Sequence, residues 1–270
     1  MGEDKAQEQY RGRLAPTPSG YLHEGNIKTF QVAMQRARNA QGKLLLRMDD
    51  LDSARCKPVY FDACVEDLRS AGLCWDKLPD MHDAKGIYRQ SCRMHFYEEA
   101  LQQLIKTGLI YPCHRTRSEI RKAGIKSHSG EEYLFPEKWR DCYDYQTGDY
   151  NRIHQNWRIA TSWGERIVFR DGGLGELNFE IGKDFSDFLV WRKDGIPAYE
   201  FATVVDDNLM GITEIVRGED LLVSSARQCL LFDALKYKRP KFFHCSLSFG
   251  KDGTKLSKSS RIIPRLFPSC

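Results

Sequence analysis

With 270 residues, the chain is long enough for one large domain or for one domain carrying an inserted module. Its formal charge of +4 and sequence pI near 8.5 permit a polyanionic partner without requiring one. No run of about 18 apolar residues occurs and the first ten residues are polar, so the expectation is a cytoplasmic protein with no membrane partner.

Arg11 to Ala15 reads as a short strand, and Ile27, Phe30, Met34 and Ala37 recur at helical spacing, which predicts an amphipathic helix over 24–40. Lys43 to Met48 is a brief apolar run of the kind buried in parallel sheets. Tyr60, Cys64, Leu68 and Ala71 mark a second helix ended by Gly72, and Phe96, Ala100, Leu101 and Leu104 a third ended by Gly108. From about Leu109 to Trp191 the sequence turns polar and rich in Tyr, Trp and Gly, with strand-like pieces at 167–170, 177–181 and 188–191. The regular pattern resumes at 198–207 and continues through a strand at 212–216, a helix over 221–235 and a last strand at 242–247. This alternation predicts an α/β, Rossmann-type doubly wound parallel sheet, 1–108 and 193–270 forming its two halves around an inserted α+β module at 109–192. The nine cysteines are scattered, and most are expected to be reduced.

Two segments carry most of the chemistry. In Arg13-Leu-Ala-Pro-Thr-Pro-Ser-Gly-Tyr-Leu-His-Glu-Gly25, the prolines stiffen the approach to a helix start at which His23 and Gly25 sit. A helix N-terminus aims backbone N–H groups and a positive dipole at anions, and Gly25 lets a phosphate approach the backbone. A lone His-x-Gly is more often an ordinary helix cap; the flanking residues shift the balance. Near the end, Lys255-Leu-Ser-Lys-Ser259 lies in a Gly-rich cationic loop suited to closing over a triphosphate. Neither the dinucleotide nor the P-loop fingerprint is present.

Together these segments resemble the two signature elements of the class I aminoacyl-tRNA synthetases, and within that class the glutamyl group. The resemblance extends to Leu46-Arg-Met-Asp-Asp-Leu-Asp52, Pro197-Ala-Tyr199, Val204-Val-Asp-Asp207 and Ile215-Val-Arg-Gly-Glu-Asp220. It implies activation of L-glutamate by ATP, with Mg2+ accompanying the nucleotide, and transfer of the glutamyl group to tRNA. It assigns His23 and Lys258 as catalytic, with Gly25, Asn26 and Lys255 completing the ATP site. It assigns Arg13, Thr17, Asp49, Tyr199 and Arg217 to glutamate, since guanidinium forks suit two carboxylates and Asp49 suits the ammonium. The family usually has Glu at the position of Asp49, one methylene longer, and a second His where this chain has Asn26.

The group's zinc knuckle is represented only by Cys113 and Cys142, because Arg115 and Lys138 stand at the other two ligand positions. Zinc wants four ligands, so two unmetallated cysteines are the favoured reading over a Zn2+ site. His114 is a poor third ligand, since adjacent residues on an extended segment point to opposite sides.

Within the family the chain looks most like the glutamyl-Q tRNA(Asp) synthetases, which resemble the catalytic half alone and attach glutamate to queuosine of tRNA(Asp). Leu221 replaces the His that commonly follows Gly-Glu-Asp in the full synthetases, Ala198 stands where they often have Thr, and only eleven residues follow Ser259. The expectation is a monomer acting on tRNA(Asp) in preference to tRNA(Glu). Two alternatives stay open: a truncated glutamyl-tRNA synthetase fragment or isoform that binds tRNA or a partner with weak or no catalysis, and an adenylyl-forming relative acting on another acid.

Overall fold

The structure, a computed structural model, describes residues 9–78, 85–140 and 153–246. In chain order the strands are β1 (Arg11–Leu14), β2 (Lys43–Met48), β3 (Ile87–Arg89), β4 (Ile110–Pro112), β5 (Trp157–Ile159), β6 (Arg166–Asp171), β7 (Gly175–Glu180), β8 (Phe188–Trp191), β9 (Glu214–Gly218) and β10 (Lys241–Cys245). The helices are α1 (Glu24–Asn39), α2 (Pro58–Ser70), α3 (Met94–Lys106), α4 (Arg117–Ala123), α5 (Tyr199–Leu209) and α6 (Leu222–Ala234). The chain divides into two compact units: described residues through 92, 211–220 and from 240 form the first, while 93–210 and 221–239 form the second.

In the first unit β1, β2 and β3 pair in parallel in that order, and β9 pairs in parallel with β10. Thr213, just before β9, donates its N–H to the Arg11 carbonyl at 2.8 Å and accepts the Arg11 N–H on Oγ1 at 2.9 Å, which lays β9 along β1. The chain therefore winds outward from β1 through β2 to β3, then returns to the far side of β1 with β9 and β10. That reversal is the doubly wound arrangement expected, and it opens a crevice at the carboxyl ends of β1 and β9. Leu44 through Met48 are buried on both faces, as a strand interior to a parallel sheet requires. Ile27, Ala33 and Ala37 of α1 and Cys64, Val65 and Leu68 of α2 pack with Leu14, Leu46 and Met48 into one apolar cluster.

A buried polar clamp ties α1 to β9. Arg36 grips Glu214 bidentately, with both bonds at 2.7 Å, Tyr10 donates its hydroxyl to the same carboxylate at 2.8 Å, and the Arg36 guanidinium lies 4.1 Å from the centre of the Phe243 ring. Burial pushes the Glu214 carboxyl up, but the hydrogen bonds from Arg36 and Tyr10 and the Arg36 charge outweigh it and hold the group below its ordinary range. A depressed folded value means stability that is present above the unfolded pKa and lost as pH falls through the folded one. Glu214→Gln is therefore expected to weaken the fold at neutral pH and to flatten the decline below about pH 4. Urea midpoints measured across the acid range check this, and parallel profiles for the two proteins would contradict it.

In the second unit, β4, β5 and β8 form an antiparallel sheet and β6 and β7 a hairpin. Helix α3 packs on α5, and α5 on α6. Arg93 Nε at 2.7 Å and the Tyr97 hydroxyl at 2.8 Å both donate to the fully buried Asp206, which fixes α3 to α5 and so sets the position of Tyr199, the first residue of α5.

The helices at 24–40, 60–72 and 96–108 appear where periodicity puts them, with Gly72 and Gly108 both at φ near +70°. The strand expected at 212–216 begins two residues later, because Ile212 and Thr213 close the approach to β1. Segment 198–207 is helical. Strands β3, β4 and β5, three residues each, carry too little pattern to be read from sequence. Helix α4 was also missed, although Thr116 and Glu119 form a capping box whose Thr-x-x-Glu spacing was there to be read. The sequence-based limits 109–192 follow the order of strands along the chain, whereas packing groups α3, α5 and α6 with that segment.

Candidate active site

Because the strands of the first unit run parallel, the loops leaving β1, β2 and β9 share one edge of the sheet, and the candidate residues of this unit gather there. Arg13 is buried near the end of β1 and donates from Nη1 to the Val216 carbonyl at 3.3 Å. Arg217 is the next residue along β9 and is also buried. Asp49 is buried one residue beyond β2, its backbone N–H held by the Pro16 carbonyl at 3.0 Å and its Oδ1 by Arg47 Nε at 2.7 Å. Arg13, Arg217 and Asp49 thus place two guanidinium groups and a carboxylate near the carboxyl ends of three parallel strands. Thr17 lies exposed in the loop after β1, its carbonyl accepting the Ser19 N–H.

His23 is the N-cap of α1. Its Nδ1 accepts the Asn26 N–H and the Asn26 side chain accepts the His23 N–H, both at 3.3 Å, closing a reciprocal capping box. The cap and the phosphate-binding role proposed for such a residue are compatible. With Nδ1 committed as an acceptor, the neutral ring carries its proton on Nε2, which becomes a donor at the positive end of the helix. A Cβ on Gly25 would stand 3.1 Å from the His23 ring, so glycine here keeps the imidazole unobstructed. Lys255 and Lys258 lie outside the described residues.

Tyr199 belongs to the second unit and is partly exposed. It lines a cavity of about 950 Å3 into which Arg117, Arg121, Arg158, Arg192 and Arg227 also face. Arg227 is held there by Glu132 and, at 3.6 Å, Glu200, with its guanidinium over Phe185 and Phe188. The arginines are spread over more than a hundred residues, and no local motif announces them. Arg47 was missed for a different reason: it sits inside an apolar run, where its significance rests on the partner two residues on.

At the family's zinc position, where two unmetallated cysteines are the favoured reading, the described residues do not fit a metal. Cys113 is packed with Tyr111, Ile120 and Phe135, and Trp139 and Ala160 cover it. Arg115 brings a cation instead of a thiolate, paired with Glu119 at 3.1 Å and lying 4.9 Å from the Trp139 ring centre. Glu119 is committed to its cap, where hydrogen bonds from Thr116 pull its carboxyl down to about 2. Among the described residues no cluster of three His, Cys, Asp or Glu is arranged to hold a metal, and Cys142 lies outside them. Cys56, Cys64, Cys92, Cys113, Cys229 and Cys245 carry free thiols.

A glutamate–tRNA ligase of Syntrophus aciditrophicus is 38% identical over 92% of this chain and 51% of its own length. A glutamyl-Q tRNA(Asp) synthetase of Symbiobacterium thermophilum is 39% identical over 92% of this chain and 77% of its own. The crystal structure of a glutamate tRNA ligase from Elizabethkingia meningosepticum, in complex with its amino acid, superposes with a TM-score of 0.74 at 28% identity, covering 93% of this chain and 52% of that one. The chain thus spans about half the length of the glutamate–tRNA ligases it matches. No helix among the described residues is long and apolar enough to cross a membrane. With residues 9–263 matching the catalytic domain of the class I tRNA synthetases (E and Q), and with a doubly wound parallel sheet of the kind expected, the chain belongs to that family.

Proposed function

We propose that the protein activates L-glutamate with ATP and transfers the glutamyl group to tRNA, with queuosine of tRNA(Asp) as the favoured acceptor. The observation that supports this reading is that Arg13, Asp49 and Arg217 are all buried at or just beyond the carboxyl ends of parallel strands of one unit, and that His23 caps the helix following β1. Glutamate brings two carboxylates and one ammonium, and the three side chains match that charge pattern. Thr17 and Tyr199 complete the amino-acid site in this assignment, and Gly25, Asn26, Lys255 and Lys258 the nucleotide site.

In the first step a carboxylate oxygen of glutamate attacks the α-phosphorus of ATP as the bond from that phosphorus to the α,β-bridging oxygen breaks, giving glutamyl-adenylate and pyrophosphate. Charge grows on the phosphate oxygens and on the leaving group, where His23 Nε2 and Lys258 act as donors and Lys255 assists. Mg2+ travels with the nucleotide and neutralises its phosphates. In the second step an RNA hydroxyl attacks the activated carbonyl and AMP leaves. The inserted segment 109–192 is assigned to the RNA acceptor, with the arginine-lined cavity beside Tyr199 supplying cations for its phosphates. Leu221 and Ala198, which depart from the wording common in the full synthetases, favour the queuosine-directed branch. The assignment also makes the protein a cytoplasmic monomer.

Charging with labelled glutamate tests the reading on purified tRNA(Asp) with and without queuosine and on tRNA(Glu). Label on queuosine-bearing tRNA(Asp) alone is expected. Label on tRNA(Glu) would move the protein to the other branch, and absence of glutamate-dependent pyrophosphate–ATP exchange would remove the enzymatic reading altogether.

A further inference from the structure

Arg47 is a fully buried guanidinium within β2, between Leu46 and Met48 of the apolar core. Its Nε donates to Asp49 Oδ1 at 2.7 Å, and neither side chain is more than 3% exposed. The two residues are two apart where β2 ends, the spacing that puts side chains on one face of a strand. Asp50, next in the chain, is committed elsewhere: Arg89 donates to it at 3.1 Å, and the Ser91 N–H and hydroxyl at 2.9 and 2.8 Å. Two adjacent carboxylates thus take separate partners in opposite directions.

Stability alone does not account for the Arg47–Asp49 pair. Taking a guanidinium and a carboxylate out of water costs roughly what their attraction returns, and a well-packed apolar pair is commonly as stable or more so. What the pair provides is an anion held at a defined point. Asp49 is pinned twice, at its backbone by the Pro16 carbonyl and at its side chain by Arg47. A short aspartate arm so held has little freedom to swing.

We infer that Arg47 is a positioning residue for glutamate recognition, orienting Asp49 toward the substrate ammonium without touching the substrate itself. This rests on the assignment of Asp49 to the amino-acid site made above. The test measures L-glutamate binding and pyrophosphate–ATP exchange for the wild type, Arg47→Met, Arg47→Lys, Asp49→Asn and the double variant Arg47→Met with Asp49→Asn. Arg47→Met is expected to raise the dissociation constant and KM for glutamate by about tenfold or more while leaving KM for ATP within about twofold, and Arg47→Lys to recover part of the loss. The double variant should bind glutamate no more weakly than Asp49→Asn alone, because Arg47 acts through Asp49. Normal glutamate affinity in folded Arg47→Met, a parallel rise in KM for ATP, or losses that multiply in the double variant would overturn the inference. Should Arg47→Met not fold, Arg47→Lys with and without Asp49→Asn decides on the same criteria. A wild type that binds no glutamate overturns the amino-acid site itself, whereas a wild type that binds it and Arg47 variants that bind equally well remove only the role of Arg47.

Discussion

His23→Asn is expected to lower the rate of glutamate-dependent pyrophosphate–ATP exchange by about 10²–10³-fold while leaving the stability of the protein unchanged or slightly raised. The two roles of His23 act through different atoms. Its Nδ1 closes the N-cap of α1 by accepting the Asn26 N–H, and its Nε2 is the donor that the proposed mechanism assigns to the nucleotide. Asparagine is among the strongest N-cap residues, so it replaces the first function and deletes the second. Alanine deletes both, and His23→Ala should add a loss of about 1 kcal/mol in stability to the same kinetic defect. Because the lost interaction forms as charge builds on the phosphates, kcat should fall more than KM for either substrate rises. Exchange kinetics paired with chemical denaturation separate the outcomes. An Asn variant with kcat within about threefold of the wild type would reduce His23 to a helix cap.

The second large effect concerns stability. Asp187, fully buried in the second unit, accepts the Tyr111 hydroxyl at 2.6 Å, Arg140 Nε and Nη2 at 2.7 Å, and the backbone N–H and hydroxyl of Thr161 at 3.0 and 2.8 Å. Burial, followed by the Asp187 charge and hydrogen bond, pushes the Tyr111 hydroxyl well above the ordinary tyrosine range, so it stays protonated and donating. Asp187→Ala removes the acceptor of all these donors, and leaves those of Tyr111 and Thr161 unpaired in a buried place. Arg140 retains a quarter of its side-chain exposure and can turn outward, but Tyr111 and Thr161 cannot. The expected loss is therefore near the lower end for a broken buried pair, about 3 kcal/mol, which lowers Tm by about 6–12 °C. Tyr111→Phe, which removes one donor and leaves the carboxylate satisfied by the others, should cost about 1 kcal/mol. Calorimetry on both variants checks the ranking. An Asp187→Ala protein melting within about 2 °C of the wild type would show that the network does not hold the unit together.

The Asp187 network lies beside Cys113 in the described part of the knuckle region. Tyr111 precedes Cys113 by two residues, and Arg140 follows Trp139, the ring over which Arg115 lies. Arg140 and Tyr111 converge on one buried carboxylate, and Cys113 packs among the aromatic rings beside it. Hydrogen bonds and packing thus tie these described segments together.

Local sequence determined a good deal. Helical periodicity located α1, α2, α3 and α6 because each buries an apolar face within its own unit, and the run Leu44 to Met48 located β2 because an interior parallel strand is covered on both sides. The capping position of His23 was legible in the chain because a helix start is a local event. Residue types at ordered spacings pointed to Arg13, Asp49 and Arg217 and to the family. What only the tertiary structure decided is which groups share an environment. That Arg47 faces Asp49, that Arg36 and Tyr10 meet Glu214 across some two hundred residues, and that Asp187 gathers Tyr111, Arg140 and Thr161 all follow from strand register and helix packing. The physical reason is burial: it makes a polar partner obligatory and so selects these pairings, and burial is a property of the folded chain.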